Sequence, residues 1–256
     1  MMLFASNMKG KTIMNKNKIQ RVGTLLGKND YPGRGIIVGK SKNGRNAVFV
    51  YFITSISENV KSSVIVEQGD EVIVHSMNAS SLTQAPTTYS SLKTFDNHIV
   101  VSNGDHTETV FRAVSKGESF MKALESRRHE ADAPNFTPRI CAVAELNGQS
   151  YTYKIAILKS GNETGTVCQR NYYCYEPENG LGHFIRTYKC AGIPIPSFDG
   201  EPERVKIPDD INAFTNDIWE NLDPEIRVSL YVRYVDLSTG KTESRTLNRN
   251  AVYMKR

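Results

Sequence analysis

The fold class is decided by one stretch, residues 35–53, which reads GIIVGKSKNGRNAVFVYFI. Two apolar runs rich in β-branched and aromatic residues, Gly35–Gly39 and Ala47–Ile53, lie on either side of the dipeptide Asn43-Gly44. Asn-Gly supplies the two positive φ values that a type I′ turn requires, so this pattern predicts a β-hairpin. We therefore expect an antiparallel pair of strands near the start of the folded chain.

Beyond this hairpin, apolar runs typical of strands alternate with segments whose apolar residues have helical spacing. Apolar runs predict further strands at residues 64–66, 72–74, 99–101, 140–146, 150–158, 181–188, 230–235 and 241–247. Helices are predicted near Val110–Val114, from Glu118 to Arg128, and after Pro208-Asp209-Asp210. Hairpins interrupted by helices favour an α+β fold with mostly antiparallel sheets over a doubly wound parallel sheet, and no G-x-G-x-x-G or P-loop motif is present.

The composition is that of a globular protein with a small positive charge. Of 256 residues, 39% are hydrophobic and 23% charged, and Lys+Arg 32 against Asp+Glu 27 give a net charge of +5. This excess suits a small anionic ligand and is far below what marks a nucleic-acid binder. No apolar run is long enough for a membrane span, and we expect a cytoplasmic protein. Residues 1–22 are expected to form a flexible basic leader, and residues 23–256 a single domain.

The cysteines favour a reduced protein. Cys141, Cys168, Cys174 and Cys190 form no C-x-x-C pair, so we expect free thiols, most of which pack as small hydrophobic side chains. A zinc site made of Cys174, His183 and Cys190 is an alternative, although its spacing matches no common zinc motif.

Three polar, turn-rich segments lie at predicted strand or helix ends, where binding residues collect. The first, Tyr31–Gly35, places Arg34 directly before a buried strand. The second, Ser102–Thr107, offers Asp105 either as a helix N-cap or as part of a backbone site for an anion. The third, residues 130–139, is stiffened by two prolines, and is either a platform for binding groups or a structural crossover with an Arg–acid pair.

The order of these motifs is specific. Pro-Gly-Arg-Gly occurs at residues 32–35 and Asn-Phe-Thr-Pro-Arg-Ile at residues 135–140. Together with the stretches around them, they resemble the archaeal-type inosine monophosphate (IMP) cyclohydrolases, most closely their bacterial branch. The similarity covers roughly residues 24–250, and the resembling stretches are 31–40, 57–59, 102–105, 132–140, 182–185, 188–190, 196–198, 200–202 and 207–211.

The resemblance implies a four-layer α-β-β-α sandwich like that of the N-terminal nucleophile hydrolases. It also implies ring closure of 5-formamidoimidazole-4-carboxamide ribonucleotide to IMP with loss of water, the last step of purine synthesis, without a cofactor or metal. The expected partner is a small-molecule purine ribonucleotide, with no nucleic acid and no membrane. We also expect a homo-oligomer.

The same resemblance suggests roles for particular residues. Tyr89 looks like the family's catalytic tyrosine, a candidate proton donor, and Glu130 like its acidic residue, a candidate base or orienting group. An Arg or Lys must grip the phosphate, and we expect Arg34, Lys61 and Arg139 to do so. The full set of expected substrate-binding residues is Arg34, Ser57, Asn59, Lys61, Asn103, Gly104, Asp105, Asn135, Thr137 and Arg139.

One segment departs from the family pattern. Ile56 stands where an Arg is expected and Ser63 where another is, so that only Lys61 keeps a positive charge there. Lysine does not replace the bidentate donor that arginine provides. A catalytically silent purine-nucleotide-binding paralogue is therefore the alternative function. A nucleic-acid-binding module that uses the basic leader ranks last, because the leader lacks interleaved aromatic residues.

Overall fold

The computed structural model describes residues 18–76 and 88–250. In chain order the elements are α1 (Val22–Leu26), β1 (Arg34–Lys40), β2 (Asn46–Thr54), α2 (Glu58–Lys61), β3 (Val64–Gln68), β4 (Glu71–His75), β5 (Tyr89–Phe95), β6 (His98–Ser102), α3 (His106–Val114), α4 (Phe120–Glu125), β7 (Arg139–Asn147), β8 (Ser150–Ser160), β9 (Cys168–Tyr175), β10 (Leu181–Arg186), β11 (Glu203–Lys206), α5 (Ile211–Asn221), β12 (Arg227–Asp236) and β13 (Thr242–Asn248).

The strands form two antiparallel sheets. One has six strands in the order β11-β10-β1-β2-β12-β13, and the other has seven in the order β3-β4-β5-β6-β7-β8-β9. Both predicted Asn-Gly hairpins are present, joining β1 to β2 and β7 to β8. Gly44 and Gly148 lie in these turns at φ 74° and 60°, where a side chain would be strained. The predicted α+β class with mostly antiparallel sheets is confirmed.

Three apolar clusters show how sheets and helices pack. The largest contains side chains from the facing sides of both sheets, among them Ile36, Tyr51 and Val101. A second packs the other face of the six-stranded sheet against α1 and α5, and a third packs the seven-stranded sheet against α3 and α4. Because side chains alternate across a strand, β2 contributes Tyr51 to the first cluster and Val50 to the second. The space between the sheets is therefore filled mainly by strand side chains, with Val60 of α2 packed against them.

The second predicted helix is shorter than its periodicity suggested. It was expected over Glu118–Arg128, but α4 spans only Phe120–Glu125. The guanidinium of Arg170, on β9, donates to the carbonyl oxygens of Leu124 at 3.3 Å and Arg127 at 2.6 Å. These long-range bonds satisfy carbonyl groups at the end of α4, and the chain then leaves the helical layer.

The described chain contacts the fold from Gln20 onward, although Lys18, Ile19 and Arg21 are exposed. Gln20 forms a parallel bridge with Val205 of β11, and Val22 of α1 is fully buried. Residues 1–17 of the predicted leader lie outside the described residues. No helix in residues 18–76 and 88–250 is long and apolar enough to cross a membrane.

Candidate functional site

The candidate site forms where the two sheets face each other at the start of β1. Arg34 is the first residue of β1. It lies two residues before Ile36, so both side chains lie on the face of the strand that is turned toward the opposite sheet. Tyr51 of β2 faces the same space, and its hydroxyl lies 2.8 Å from the hydroxyl of Tyr89, the first residue of β5. The fold therefore brings a guanidinium from one sheet to a tyrosine of the other.

The Glu130 carboxylate interacts electrostatically with both Arg34 and Tyr89. Burial raises the pKa of Glu130, against the opposing effects of Arg139 and Arg34. Burial also raises the pKa of Tyr89, which Arg34 and the hydrogen bond to Tyr51 lower. Arg34 forms no salt bridge with a carboxylate in the part of the chain that the structure describes, although Glu130 contributes to its electrostatic surroundings. Within the described residues, a tyrosine hydroxyl, a carboxylate and a guanidinium without an ion pair thus interact with one another.

A second positive centre is built around Arg139, at the start of β7. Its Nη1 donates to the carboxylate of Asp105 and, at 3.0 Å, to Nδ1 of His106. Arg127 reaches the same carboxylate at 2.9 Å. Gly104 permits this approach, because a Cβ there would lie 3.1 Å from Nη1 of Arg139. Asp105 occupies the expected N-cap position but makes no side-chain cap bond, since its carboxylate pairs with the two arginines instead.

His106 is the neutral partner that orients Arg139. It is fully buried, and burial together with Arg139 lowers its pKa to about 3. Because Nδ1 accepts from Arg139, Nε2 carries the proton and donates to the carbonyl oxygen of Ile140 at 3.0 Å. Asp105 and His106 both accept from Nη1, which leaves Nε and Nη2 of Arg139 without an acceptor among the described residues.

The stiff segment between α4 and β7 holds its own polar groups. Thr137 is buried, its N–H donates to Asp132 at 2.7 Å, and its hydroxyl lies 2.6 Å from that of Tyr188. The Glu130 N–H donates to the Thr137 carbonyl oxygen at 2.9 Å, which fixes the backbone that carries the Glu130 carboxylate. Asn135 accepts the N–H of Ile195 at 3.0 Å.

Asn103 joins the ends of two strands. Its Oδ1 accepts the buried N–H of Ile140 at 2.8 Å, and its Nδ2 donates to the carbonyl oxygen of Pro138 at 3.0 Å. Both bonds belong to the framework beneath Arg139. The predicted binding residue therefore has a clear structural role.

The segment after β2, residues 55–63, makes no described polar contact with the groups around Arg34 and Arg139. Ser57 and Asn59 are exposed, and Lys61 pairs with Glu58 at 2.8 Å within α2. No hydrogen bond or ion pair described for this segment reaches Arg34 or Arg139. The segment nevertheless begins close to Arg34, because the Thr54 N–H at the end of β2 donates to the Gly33 carbonyl oxygen at 2.7 Å. Ile56, at the expected Arg position, is 63% exposed.

Sequence reasoning missed several members of the site. They are Tyr51, His106, Arg127, Asp132 and Tyr188. Tyr51 had a usable signal, since a tyrosine amid apolar β-branched residues carries a hydroxyl that must find a partner inside the core. His106, Arg127 and Tyr188 depend on contacts between segments far apart in sequence, whereas Asp132 binds Thr137 within the stiff segment that the sequence had singled out.

The alternative zinc site does not form. Cys174 is exposed, and His183 bonds the Tyr153 hydroxyl at 2.6 Å and stacks on Tyr175 with ring centroids 3.5 Å apart. All four cysteines are free thiols, but only Cys141 is buried, so the expectation that most of them pack in the core is wrong. Within residues 18–76 and 88–250, no group of three or more His, Cys, Asp or Glu side chains could hold a metal ion.

Two clefts lie away from the candidate site residues. One of about 320 Å³ is lined by His98, Phe120 and Glu145, and one of about 340 Å³ by Thr94, Arg233 and their neighbours. Neither is lined by a predicted site residue. The candidate site therefore rests on its charged and hydroxyl groups rather than on cavity size.

Fold and site together define a class: an α+β protein with two facing antiparallel sheets and a group of arginine, tyrosine and glutamate side chains between them. Comparison with known proteins makes this specific. The chain belongs to the family of IMP cyclohydrolase-like proteins, whose model matches residues 31–241.

Two archaeal relatives are similar over most of their length. An IMP cyclohydrolase of Methanothrix thermoacetophila is 32% identical over 175 residues, which are 66% of this chain and 80% of the relative. An IMP cyclohydrolase of Methanococcus aeolicus is 25% identical over 170 residues, 64% of this chain and 76% of the relative.

Proposed function

We propose that this protein is an IMP cyclohydrolase that closes the ring of 5-formamidoimidazole-4-carboxamide ribonucleotide and releases water. The observation that carries the proposal is the meeting of Tyr89, Glu130 and Arg34 across the two sheets. Membership of the IMP cyclohydrolase-like family and the two relatives support the same activity.

The reaction needs proton transfers in both directions. The carboxamide nitrogen attacks the formyl carbon, the two substrate nitrogens lose one proton each, and the formyl oxygen gains two and leaves as water. Proximity is already supplied by the imidazole ring, so the enzyme has to hold the reactive rotamer and move protons. Catalytic groups for both directions are therefore required at one place.

Tyr89 and Glu130 have matching roles. Because burial raises the pKa of Tyr89, its hydroxyl remains protonated near neutral pH and can donate to the formyl oxygen. Burial also raises the pKa of Glu130, which makes its carboxylate a stronger base for the carboxamide proton. Arg34 then stabilises the charge that develops on the formyl oxygen.

The ribonucleotide phosphate is proposed to bind at Arg139. Its Nε and Nη2 groups have no acceptor among the described residues, while Asp105 and His106 hold the guanidinium in place. Lys61 is proposed to release its ion pair with Glu58 and to bind the phosphate or ribose instead, with Ser57 and Asn59 beside it. Asn103, Gly104, Asn135 and Thr137 contribute by shaping the backbone around the ligand.

The proposal extends to the protein's setting. We place it in the cytoplasm, as a homo-oligomer that acts on a small purine ribonucleotide and not on nucleic acid. Light scattering on the purified full chain measures its mass in solution. A monomer at micromolar concentration would contradict the oligomer.

A direct assay tests the activity. The protein is incubated with the formylated ribonucleotide, and ring closure is followed by purine absorbance at several pH values. We expect turnover with wild type and a loss of about 100-fold or more with Tyr89→Phe. Tyr173→Phe, which removes the hydroxyl that bonds the Gly200 carbonyl oxygen, serves as the matched control and should retain activity. A wild-type rate no higher than the spontaneous background would refute the proposal.

One observation favours a second candidate function. At the position where an arginine is expected, Ile56 presents an exposed apolar side chain, which cannot bind phosphate or polarise a carbonyl group. A silent paralogue would bind IMP without turning over the substrate. Thermal stabilisation by IMP in a protein that gives no ring closure would favour this alternative.

A further inference from the structure

The Tyr51 hydroxyl is enclosed in the part of the protein that the structure describes. Tyr51 is 0% exposed in the middle of β2, where the cluster between the sheets surrounds its ring. Among the described residues, its hydroxyl has one hydrogen-bond partner, the Tyr89 oxygen at 2.8 Å. A buried hydroxyl that left its proton unbonded would cost about 1–3 kcal/mol.

This enclosure decides the direction of the bond. The nearby guanidinium of Arg34 has only donors and cannot accept a proton from Tyr51. Tyr51 therefore satisfies its O–H group by donating to the Tyr89 oxygen. Tyr89 accepts this bond, so its own O–H group is left to point elsewhere. Since Tyr89 is only half-buried, that proton can reach a ligand between the sheets.

We infer that Tyr51 is a positioning residue for ring closure: it donates a hydrogen bond to Tyr89 and thereby directs the Tyr89 proton at the substrate. This inference rests on the proposed function and deepens it. In the transfer, the Tyr89 O–H bond breaks as an O–H bond forms on the formyl oxygen, and the electron pair stays on Tyr89. Glu130, which has taken the carboxamide proton, then reprotonates Tyr89.

Tyr51 keeps its proton throughout this sequence. Burial raises the pKa of Tyr51 well above its usual range, so it stays a donor. The groups that face the tyrosine pair are Arg34, which favours a transient tyrosinate, and Glu130, which opposes it. The Tyr51 hydrogen bond therefore adds to the effect of Arg34 at the moment when Tyr89 becomes negative.

Removing one hydroxyl group tests this role. For Tyr51→Phe we expect kcat to fall about 10- to 100-fold while KM changes less than about threefold, because the bond strengthens only as charge develops on Tyr89. The matched control is Tyr153→Phe, whose fully buried hydroxyl bonds His183 at 2.6 Å within the same cluster. It loses a comparable core hydrogen bond and should keep kcat. Melting temperatures of both variants report the structural cost alone.

A double-mutant comparison separates positioning from stability. When Tyr89→Phe has already removed the transferring hydroxyl, adding Tyr51→Phe should lower kcat by less than about twofold. An unchanged kcat in Tyr51→Phe, or an equal loss of kcat with and without the Tyr89 hydroxyl, would overturn the inference. If wild type shows no turnover at all, both the proposed function and this inference are refuted. If wild type turns over but the Tyr51 variants behave as just described, only the inference is refuted, so the two failures are distinguishable.

Discussion

Replacing Asn103 with alanine should destabilise the fold strongly, although Asn103 was expected to be a binding residue. Its side chain accepts the N–H of Ile140 at 2.8 Å and donates to the carbonyl oxygen of Pro138 at 3.0 Å. Ile140 is 0% exposed, and Asn103 itself is 5% exposed, so water cannot take over the lost bonds without rearrangement. Alanine therefore leaves a buried donor and a buried acceptor unpaired.

The size of the effect follows from these two groups. An unsatisfied buried polar group costs about 1–3 kcal/mol, and part of the loss is recovered because the Asn amide no longer has to leave water on folding. We expect the free energy of unfolding to fall by about 2–4 kcal/mol, a large share of the ~5–15 kcal/mol of a typical domain.

Urea denaturation at neutral pH, followed by circular dichroism, measures this change. Asn59→Ala is the matched control, because Asn59 is exposed and its side chain makes no hydrogen bond in the described structure, so its change should stay within about 0.5 kcal/mol. If Asn103→Ala loses less than about 1 kcal/mol with an unchanged m-value, the reasoning about Asn103 is refuted.

Three further predictions concern the site. Glu130→Gln should lower kcat about 100- to 10,000-fold with little change in melting temperature. Wild-type kcat should also fall in acid, because Glu130 becomes protonated as the pH drops through its raised pKa and can no longer act as a base. Full activity in the variant would remove Glu130 from the mechanism. Ile56→Arg should lower KM or raise kcat in the ring-closure assay, and no gain would show that the departure from the family pattern has no effect on activity. Burial, with Arg139, lowers the pKa of His106 to about 3 in the folded protein. Below about pH 6.5 this histidine is therefore protonated in the unfolded chain while it stays neutral in the folded protein. Stability should therefore fall as pH drops from about 6.5 to 4.5, by about 2–3 kcal/mol from this residue, and His106→Gln should lack that part of the decline in urea titrations.

The hairpins show what local chemistry can predict. Asn43-Gly44 and Asn147-Gly148 are found in the turns where their dihedral preferences place them, and the apolar runs beside them are β1, β2, β7 and β8. These features depend on residues adjacent in sequence. The strand β9 was not predicted, because Cys168–Tyr175 carries no clear apolar alternation and is held mainly by pairing with β8.

The site shows the opposite situation. Tyr89 and Glu130 were expected from the family resemblance, and the structure places both near Arg34. The roles of Asp105 and Asn103 could not be read in the same way. Asp105 has the composition and position of an N-cap, but Arg127 and Arg139 lie close enough to take its carboxylate. Ion pairs between distant segments follow from packing and leave no periodic signal in a sequence.

By itself, the sequence determined the antiparallel α+β class, the Asn-Gly turns and the family to which the chain belongs. These follow from backbone preferences and side-chain alternation, which act over a few residues, and from motifs that stand in order along the chain. Only the tertiary structure decided that Tyr51 would face Tyr89, and that His106 would hold Arg139. The first pairing depends on how the two sheets face one another, and the second on the register of β6 against β7 within one sheet. That alignment is set by the whole core, and no local pattern encodes it.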